Sequence, residues 1–187
     1  PNSTATAHSF LNNSATPGAK LDLLGNITGQ MTASTETFTF GGSNGGTMSG
    51  DITNGSGGGN VAVTKSGAGT WTISGGGNAY TGATTLGGGT LVLSGGNNRL
   101  PTATTVSCTG ASTLNIGATS QTLTGLSFGA NVTGTITGSG GTLTLTGSNV
   151  NLGGLGATTL NATGLSNFTY NNASGTFGLN VSTNDAT

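Results

Sequence analysis

Short stretches in which apolar residues alternate with threonine recur along the chain. The clearest examples fall at 61–63, 70–73, 90–93, 113–116, 133–137, 142–146 and 158–160. An alternation with period two is typical of a strand that buries one face, and β-branched threonine favours extended backbone. Glycine- and asparagine-rich breaks between the stretches supply residues suited to tight turns. The pattern predicts an all-β protein.

The spacing of these stretches predicts how the strands are arranged. Equivalent apolar positions at Ile73, Leu93, Ile116 and Leu145 lie 20, 23 and 29 residues apart. Units that recur at such intervals are typical of repeat architectures, and a parallel β-solenoid with a narrow aliphatic interior fits best. A β-sandwich of short strands is the alternative, because it needs the same alternation. Nine aromatic residues among 187 are few for a sandwich core, which favours the solenoid.

The same alternation predicts which side chains form the interior. We expect the apolar positions to point inward and the interleaved threonines to point outward. The predicted core consists of Trp71, Ile73, Leu91, Leu93, Leu114, Ile116, Leu143 and Leu145. Cys108 is in phase with Val106, which predicts a buried, inert thiol.

Composition and charge argue against several classes of protein. The chain has 38 Gly and 38 Thr but only three basic and four acidic residues, with a formal net charge of −1. Three cations are too few for a nucleic-acid-binding surface. An apolar fraction of 32% with so little net charge predicts a folded chain. Because no run of about 18 apolar residues occurs, we expect no transmembrane helix.

One segment, residues 65–95, resembles a known repeat. It reads KSGAGTWTISG at 65–75, NAYTGATTL at 78–86 and GTLVL at 89–93. This resembles the autotransporter-associated β-strand repeat, whose pattern runs K-x-G-x-G-T-L-x-L-x-G, then N-x-Y-x-G-x-T, then G-T-L. A shorter version, without the lysine and the tyrosine, lies at 138–149. The resemblance implies a bacterial β-helical passenger, secreted or on the cell surface, in a repeat that carries no catalytic residues.

The repeat also predicts a division of the chain. Residues 1–59 lack its pattern, and we expect them to form a β-rich or extended N-terminal segment that serves as an assembly arm or cap. Residues 60–187 are expected to form the β-strand repeat region.

Residues with catalytic or metal-binding chemistry are scarce. His8 is the only histidine, and Asp22 is the nearest acid in sequence with which it could build a catalytic triad. The four acids favour surface or turn roles over a paired-carboxylate site. With one histidine and one cysteine, a zinc site is not expected. We therefore expect no enzyme activity, no metal and no cofactor.

Two residues of the repeat segment are candidates for surface roles. The aliphatic stem of Lys65 is expected to cover a coil edge while its ammonium stays in water. Tyr80 follows Asn78 in a turn, and we expect it to be exposed and available as a glycan contact.

The ends of the chain indicate self-association. An open solenoid ends in unpaired strands, and this chain has few charges with which to block them. Phe10 and Leu11 near one end, and Phe177, Leu179 and Val181 near the other, are the candidate inter-subunit contacts. The sequence thus predicts an extracellular or cell-surface structural protein, either a scaffold or adhesin module or a subunit of a self-assembling filament or surface layer. The alternative is a carbohydrate-binding or carbohydrate-active β-helix, similar to a tail spike, with surface glycans as partners.

Overall fold

The computed structural model describes residues 6–129, 132–152, 159–163 and 167–170. Every regular element in these residues is a β-strand, and none is a helix that could span a membrane. The strands are β1 (Thr6–Leu11), β2 (Lys20–Leu23), β3 (Ile27–Thr28), β4 (Thr35–Gly41), β5 (Gly45–Met48), β6 (Ile52–Thr53), β7 (Asn60–Lys65), β8 (Thr70–Ile73), β9 (Thr84–Leu86), β10 (Gly89–Leu93), β11 (Thr105–Cys108), β12 (Ser112–Asn115), β13 (Ser120–Phe128), β14 (Thr133–Thr137), β15 (Thr142–Leu152), β16 (Thr159–Thr163) and β17 (Asn167–Tyr170).

The strands form parallel sheets that wind around one interior. The eight-stranded sheet has the order β1-β4-β7-β9-β11-β13-β15-β17, and the seven-stranded sheet has the order β2-β5-β8-β10-β12-β14-β16. A third, two-stranded sheet pairs β3 with β6. Consecutive strands of a sheet come from successive turns of the chain, and their pairing is parallel throughout the described residues. The fold is therefore the predicted parallel β-solenoid, and the β-sandwich alternative, which requires antiparallel sheets, is wrong.

The register of the seven-stranded sheet gives the length of a coil. Leu21, Gly46, Trp71, Leu91, Leu114 and Ile136 pair in turn across this sheet, so these coils take 20 to 25 residues. The pairing of Ile73 with Leu93 confirms the predicted 20-residue interval. The predicted step from Ile116 to Leu145 is wrong, because β15 belongs to the eight-stranded sheet and pairs Leu145 with Leu123.

The interior is built from the residues that the alternation selects. All eight predicted core residues are at most 1% exposed, which confirms the predicted register. The largest of them, Trp71, donates its indole N–H to the carbonyl of Gly41 at 3.1 Å. The preceding coil has a glycine, Gly46, next to the Trp71 ring. A Cβ at Gly46 would lie 2.8 Å from the Cη2 atom of Trp71 and 2.2 Å from the carbonyl oxygen of Leu21.

The first two coils belong to the same sheets as the later ones. Strands β1 to β3 pair with β4 to β6, and β4 pairs with β7 from Thr35–Asn60 to Phe40–Lys65. The hydrogen-bonded pairing of β4 with β7 thus crosses the predicted boundary between 1–59 and 60–187. That the first segment acts as an arm or cap stays a prediction.

Candidate interaction surface at the N-terminal edge

The first coil leaves one side of the solenoid without a neighbouring coil in the described residues. Strands β1, β2 and β3 each stand at the end of their sheet and pair with one described strand only. We call these three strands the N-terminal edge. A strand at the end of a sheet presents a backbone edge to which a further strand can add.

The inward side chains of the N-terminal edge are only half-buried. These are Phe10, Leu21, Leu23 and Ile27, which pack against the core beneath them. One coil further in, the residues that pair with Phe10, Leu23 and Ile27 are almost fully buried: Phe40, Met48 and Ile52. The rings of Phe10 and Phe40 are stacked, with centroids 5.5 Å apart. The difference in burial arises because, among the described residues, the first coil is covered from one side only.

A histidine of this edge, His8 on β1, meets a carboxylate of the next coil, Glu36 on β4, on the inward side. His8 Nε2 lies 2.8 Å from Glu36 Oε1, and the His8 ring packs against Phe38 with centroids 5.5 Å apart. The other carboxylate oxygen of Glu36 accepts the backbone N–H of Gln30 at 2.7 Å. His8 is exposed, as expected, but Glu36 is only 4% exposed. A surface role for this acid is therefore wrong, because it points inward from β4 and finds partners there.

The candidate triad partner lies elsewhere. Asp22 is exposed on β2, whereas the described contact of His8 is with Glu36. Within the described residues, no group of three or more His, Cys, Asp or Glu side chains could hold a metal ion.

The predicted inter-subunit contacts are partly described. Leu11 is 51% exposed, next to the half-buried Phe10 at the N-terminal edge. Phe177, Leu179 and Val181 lie outside the described residues.

The expected exposure of Tyr80 is wrong. The turn after Asn78 points the ring into the core, where Tyr80 is 1% exposed and its hydroxyl shares a 2.6 Å hydrogen bond with Thr84 Oγ1. Burial raises the pKa of Tyr80. A side chain held in this way has no surface with which to stack on a sugar.

The expected position of the Lys65 ammonium is also wrong. Lys65 is fully buried, and its Nζ donates to the carbonyls of Ser66, Gly67 and Gly88 at 2.8, 2.9 and 2.9 Å. Ser66 and Gly67 follow β7, whereas Gly88 lies one coil further on, between β9 and β10. Backbone carbonyls thus replace water around the charge, and the residue joins two coils. Burial lowers the pKa of Lys65 to about 8.

Cys108 is 1% exposed, which confirms the predicted buried thiol. Burial raises its pKa, so the reactive thiolate is disfavoured.

A groove of about 340 Å³ crosses the first three coils beside the seven-stranded sheet. Its walls come mainly from small residues at one corner, and its lining includes one charged side chain, Lys20, but no carboxylate and no aromatic ring. The groove therefore lacks the pair of carboxylates that glycoside hydrolysis uses.

Comparison with known families bears on the segment that contains Lys65, Trp71 and Tyr80. Residues 63–93 match the family model of the passenger-associated-transport-repeat. This finding confirms the resemblance identified at 65–95. Comparison with the curated proteins and with the solved structures gave no match. The matched segment runs from β7 to β10 within the β-solenoid, and it is similar to a repeat of passenger-type β-helices, which is compatible with a surface module.

Proposed function

We propose that this chain is a structural module of a secreted or cell-surface protein, and that it assembles by stacking copies of itself end to end. The observation that carries the proposal is the N-terminal edge, where the half-buried side chains Phe10, Leu23 and Ile27 have a covering coil on one side only in the part of the chain that the structure describes. No catalytic role and no cofactor form part of the proposal.

A second copy suits this edge better than an unrelated partner because the solenoid already contains the required interface. The contact between the first two coils pairs parallel strands and stacks side chains in columns, as Phe10 does on Phe40. A further coil at the N-terminal edge would extend the same columns. Because such a contact joins two different surfaces, it repeats from copy to copy and produces a filament or layer.

The charge of the chain offers little resistance to this association. The net charge of −1 gives almost no long-range repulsion between copies. At the edge, His8 contacts Glu36 of the next coil, and the outward residues Lys20 and Asp22 of β2 have opposite signs. Natural edges that resist pairing often carry charged side chains, especially lysine, and here Lys20 shares its strand with the oppositely charged Asp22.

The proposal is tested with a charge placed at the edge. Leu23→Lys puts an ammonium on the inward side of β2, where a second copy would have to bury it. Leu24→Lys is the matched control, since Leu24 is adjacent in sequence and 78% exposed. Sedimentation velocity and electron microscopy at micromolar concentrations measure the assembly, and circular dichroism measures the folding of each variant.

We expect the wild-type chain and Leu24→Lys to form oligomers that grow with concentration, and a folded Leu23→Lys chain to remain monomeric. A wild-type chain that stays monomeric across this range would refute the proposal. Equal assembly of the two folded lysine variants would refute the N-terminal edge as its site.

A further inference from the structure

The outward face of the seven-stranded sheet carries a regular array of threonines. Its two columns run along the solenoid, and each coil contributes one residue to each column. We call this array the threonine grid, and its rows are Thr70 and Thr72, Thr90 and Val92, Thr113 and Asn115, and Thr135 and Thr137. The column that begins at Thr70 is threonine in four successive coils.

The spacing of the grid follows from the sheet. Successive coils lie about 4.8 Å apart, and residues two apart on one strand are separated by about 6.7 Å. The strands that carry the grid pair in parallel with no shift in register. Side chains in equivalent positions therefore repeat in two directions at fixed distances.

The groups of the grid are available to a ligand. Thr70 is exposed, and the others are half-buried, as expected for the outer face of a packed sheet. The hydroxyls of Thr70, Thr72, Thr90 and Thr113 donate to no side-chain or backbone group among the described residues. Val92 has the shape of threonine with a methyl in place of the hydroxyl, so it keeps the outline of its row.

The chemistry of the face argues against the usual polymeric ligands. From β5 to β14, no outward residue of this sheet is charged in the described part of the chain, and Lys20 and Asp22 stand on β2 at one end. An anionic polymer needs several cations. A planar polysaccharide is held by aromatic rings, whereas Trp71, the aromatic residue of these strands, points inward.

An array of this kind can recognise ordered water. A single hydroxyl gains little by exchanging one hydrogen bond to liquid water for another. A set of hydroxyls and methyls at fixed, repeating distances can hold many waters at once in an ordered layer such as the surface of ice presents. We propose that the threonine grid is an ice-binding surface.

The test measures ice binding by the intact chain and by two matched variants. Thr90→Tyr inserts a bulky ring into the centre of the grid. Thr85→Tyr makes the same change in the same coil at a half-exposed outward position of the eight-stranded sheet. Thermal hysteresis, inhibition of ice recrystallisation and partition into a growing ice front are measured for each folded protein, with serum albumin as the inert standard.

We expect the wild-type chain and Thr85→Tyr to show hysteresis and to enter the ice, and Thr90→Tyr to lose both activities to the level of albumin. A wild-type chain that behaves like albumin would overturn the proposal. So would an equal loss in both variants, or wild-type binding to insoluble cellulose or chitin that Thr90→Tyr abolishes. The threonine grid lies on the outward face of the sheet and not on the N-terminal edge, so these readouts do not depend on whether copies stack.

Discussion

Lys65 gives the sharpest prediction, because its buried ammonium makes the stability of the fold depend on pH. Burial lowers the pKa of Lys65 from 10.5 to about 8 in the folded chain, whereas the unfolded chain regains the ordinary value. Between pH 8 and 10.5 the unfolded state therefore binds more protons than the folded state. The free energy of unfolding contributed by this residue rises with pH through that window and is constant below it.

The magnitude follows from the difference between the two pKa values. At about 1.4 kcal/mol per unit, Lys65 should add up to about 3 kcal/mol of stability between pH 8 and 10.5, and less where the three carbonyls that accept from Nζ favour the charged form. The whole protein will not show this rise alone, because Tyr80 and Cys108 have raised pKa values. Those two groups stay protonated in the folded chain where the unfolded chain ionises, so their contribution falls as the pH rises.

Comparison with Lys65→Met isolates the lysine. Methionine keeps the length and apolar stem, and the ionisation of Tyr80 and Cys108 cancels in the difference between the two proteins. Urea unfolding from pH 7 to 10.5 measures that difference, and the ¹³Cε resonance of Lys65 in the wild type reports its pKa directly, with Lys20 as the only other lysine signal. A stability difference that does not change with pH, together with a Lys65 resonance that titrates at 10.5, would refute the reasoning.

Two further substitutions test the interior. Leu93→Ala should lower the free energy of unfolding by about 2–5 kcal/mol, because Leu93 is 1% exposed. Thr72→Ala, on the outward face, should lower it by well under about 1 kcal/mol. Similar losses for the two variants in urea unfolding would contradict the assignment of Leu93 inward and Thr72 outward. Tyr80→Phe should lower the free energy of unfolding by about 1 kcal/mol, because it removes the buried hydrogen bond to Thr84. It should also lessen the fall in stability at alkaline pH. If thermal unfolding shows the same dependence on alkaline pH for the variant and the wild type, the burial of the hydroxyl is contradicted.

The sequence predicts the direction of side chains in this fold better than it predicts the path of the coil. Period-two alternation distinguishes inward from outward, and Trp71 and Leu93 lie where it places them. It does not say to which sheet a strand belongs, because all the sheets share one interior. For this reason the alternation alone places the stretch containing Leu145 in the wrong sheet.

The sequence does not predict the burial of the polar residues in the interior, for a different reason. Lys65 and Glu36 are polar by residue type, and a polar side chain is usually exposed. Their burial depends on partners that are remote in sequence or are backbone atoms, such as the Gly88 carbonyl for Lys65 and the Gln30 N–H for Glu36. These partners become visible only when the coils are stacked. The N-terminal edge was predictable through Phe10, but His8 and Glu36 meet only because β1 pairs with β4.

The matched repeat segment helps to locate where a function can reside in this molecule. Its prominent side chains are used for the fold: the Lys65 ammonium reaches the next coil at Gly88, the Trp71 indole reaches the previous coil at Gly41, and the Tyr80 hydroxyl is bonded to Thr84. A residue that holds one coil to another is not free to contact a ligand. The segment therefore specifies a coil that stacks, and recognition is left to the surfaces that stacking creates. In the described residues these are the free side of the first coil, which pairs with the second coil on its other side, and the outward columns of the sheets, where threonines of successive coils lie next to one another.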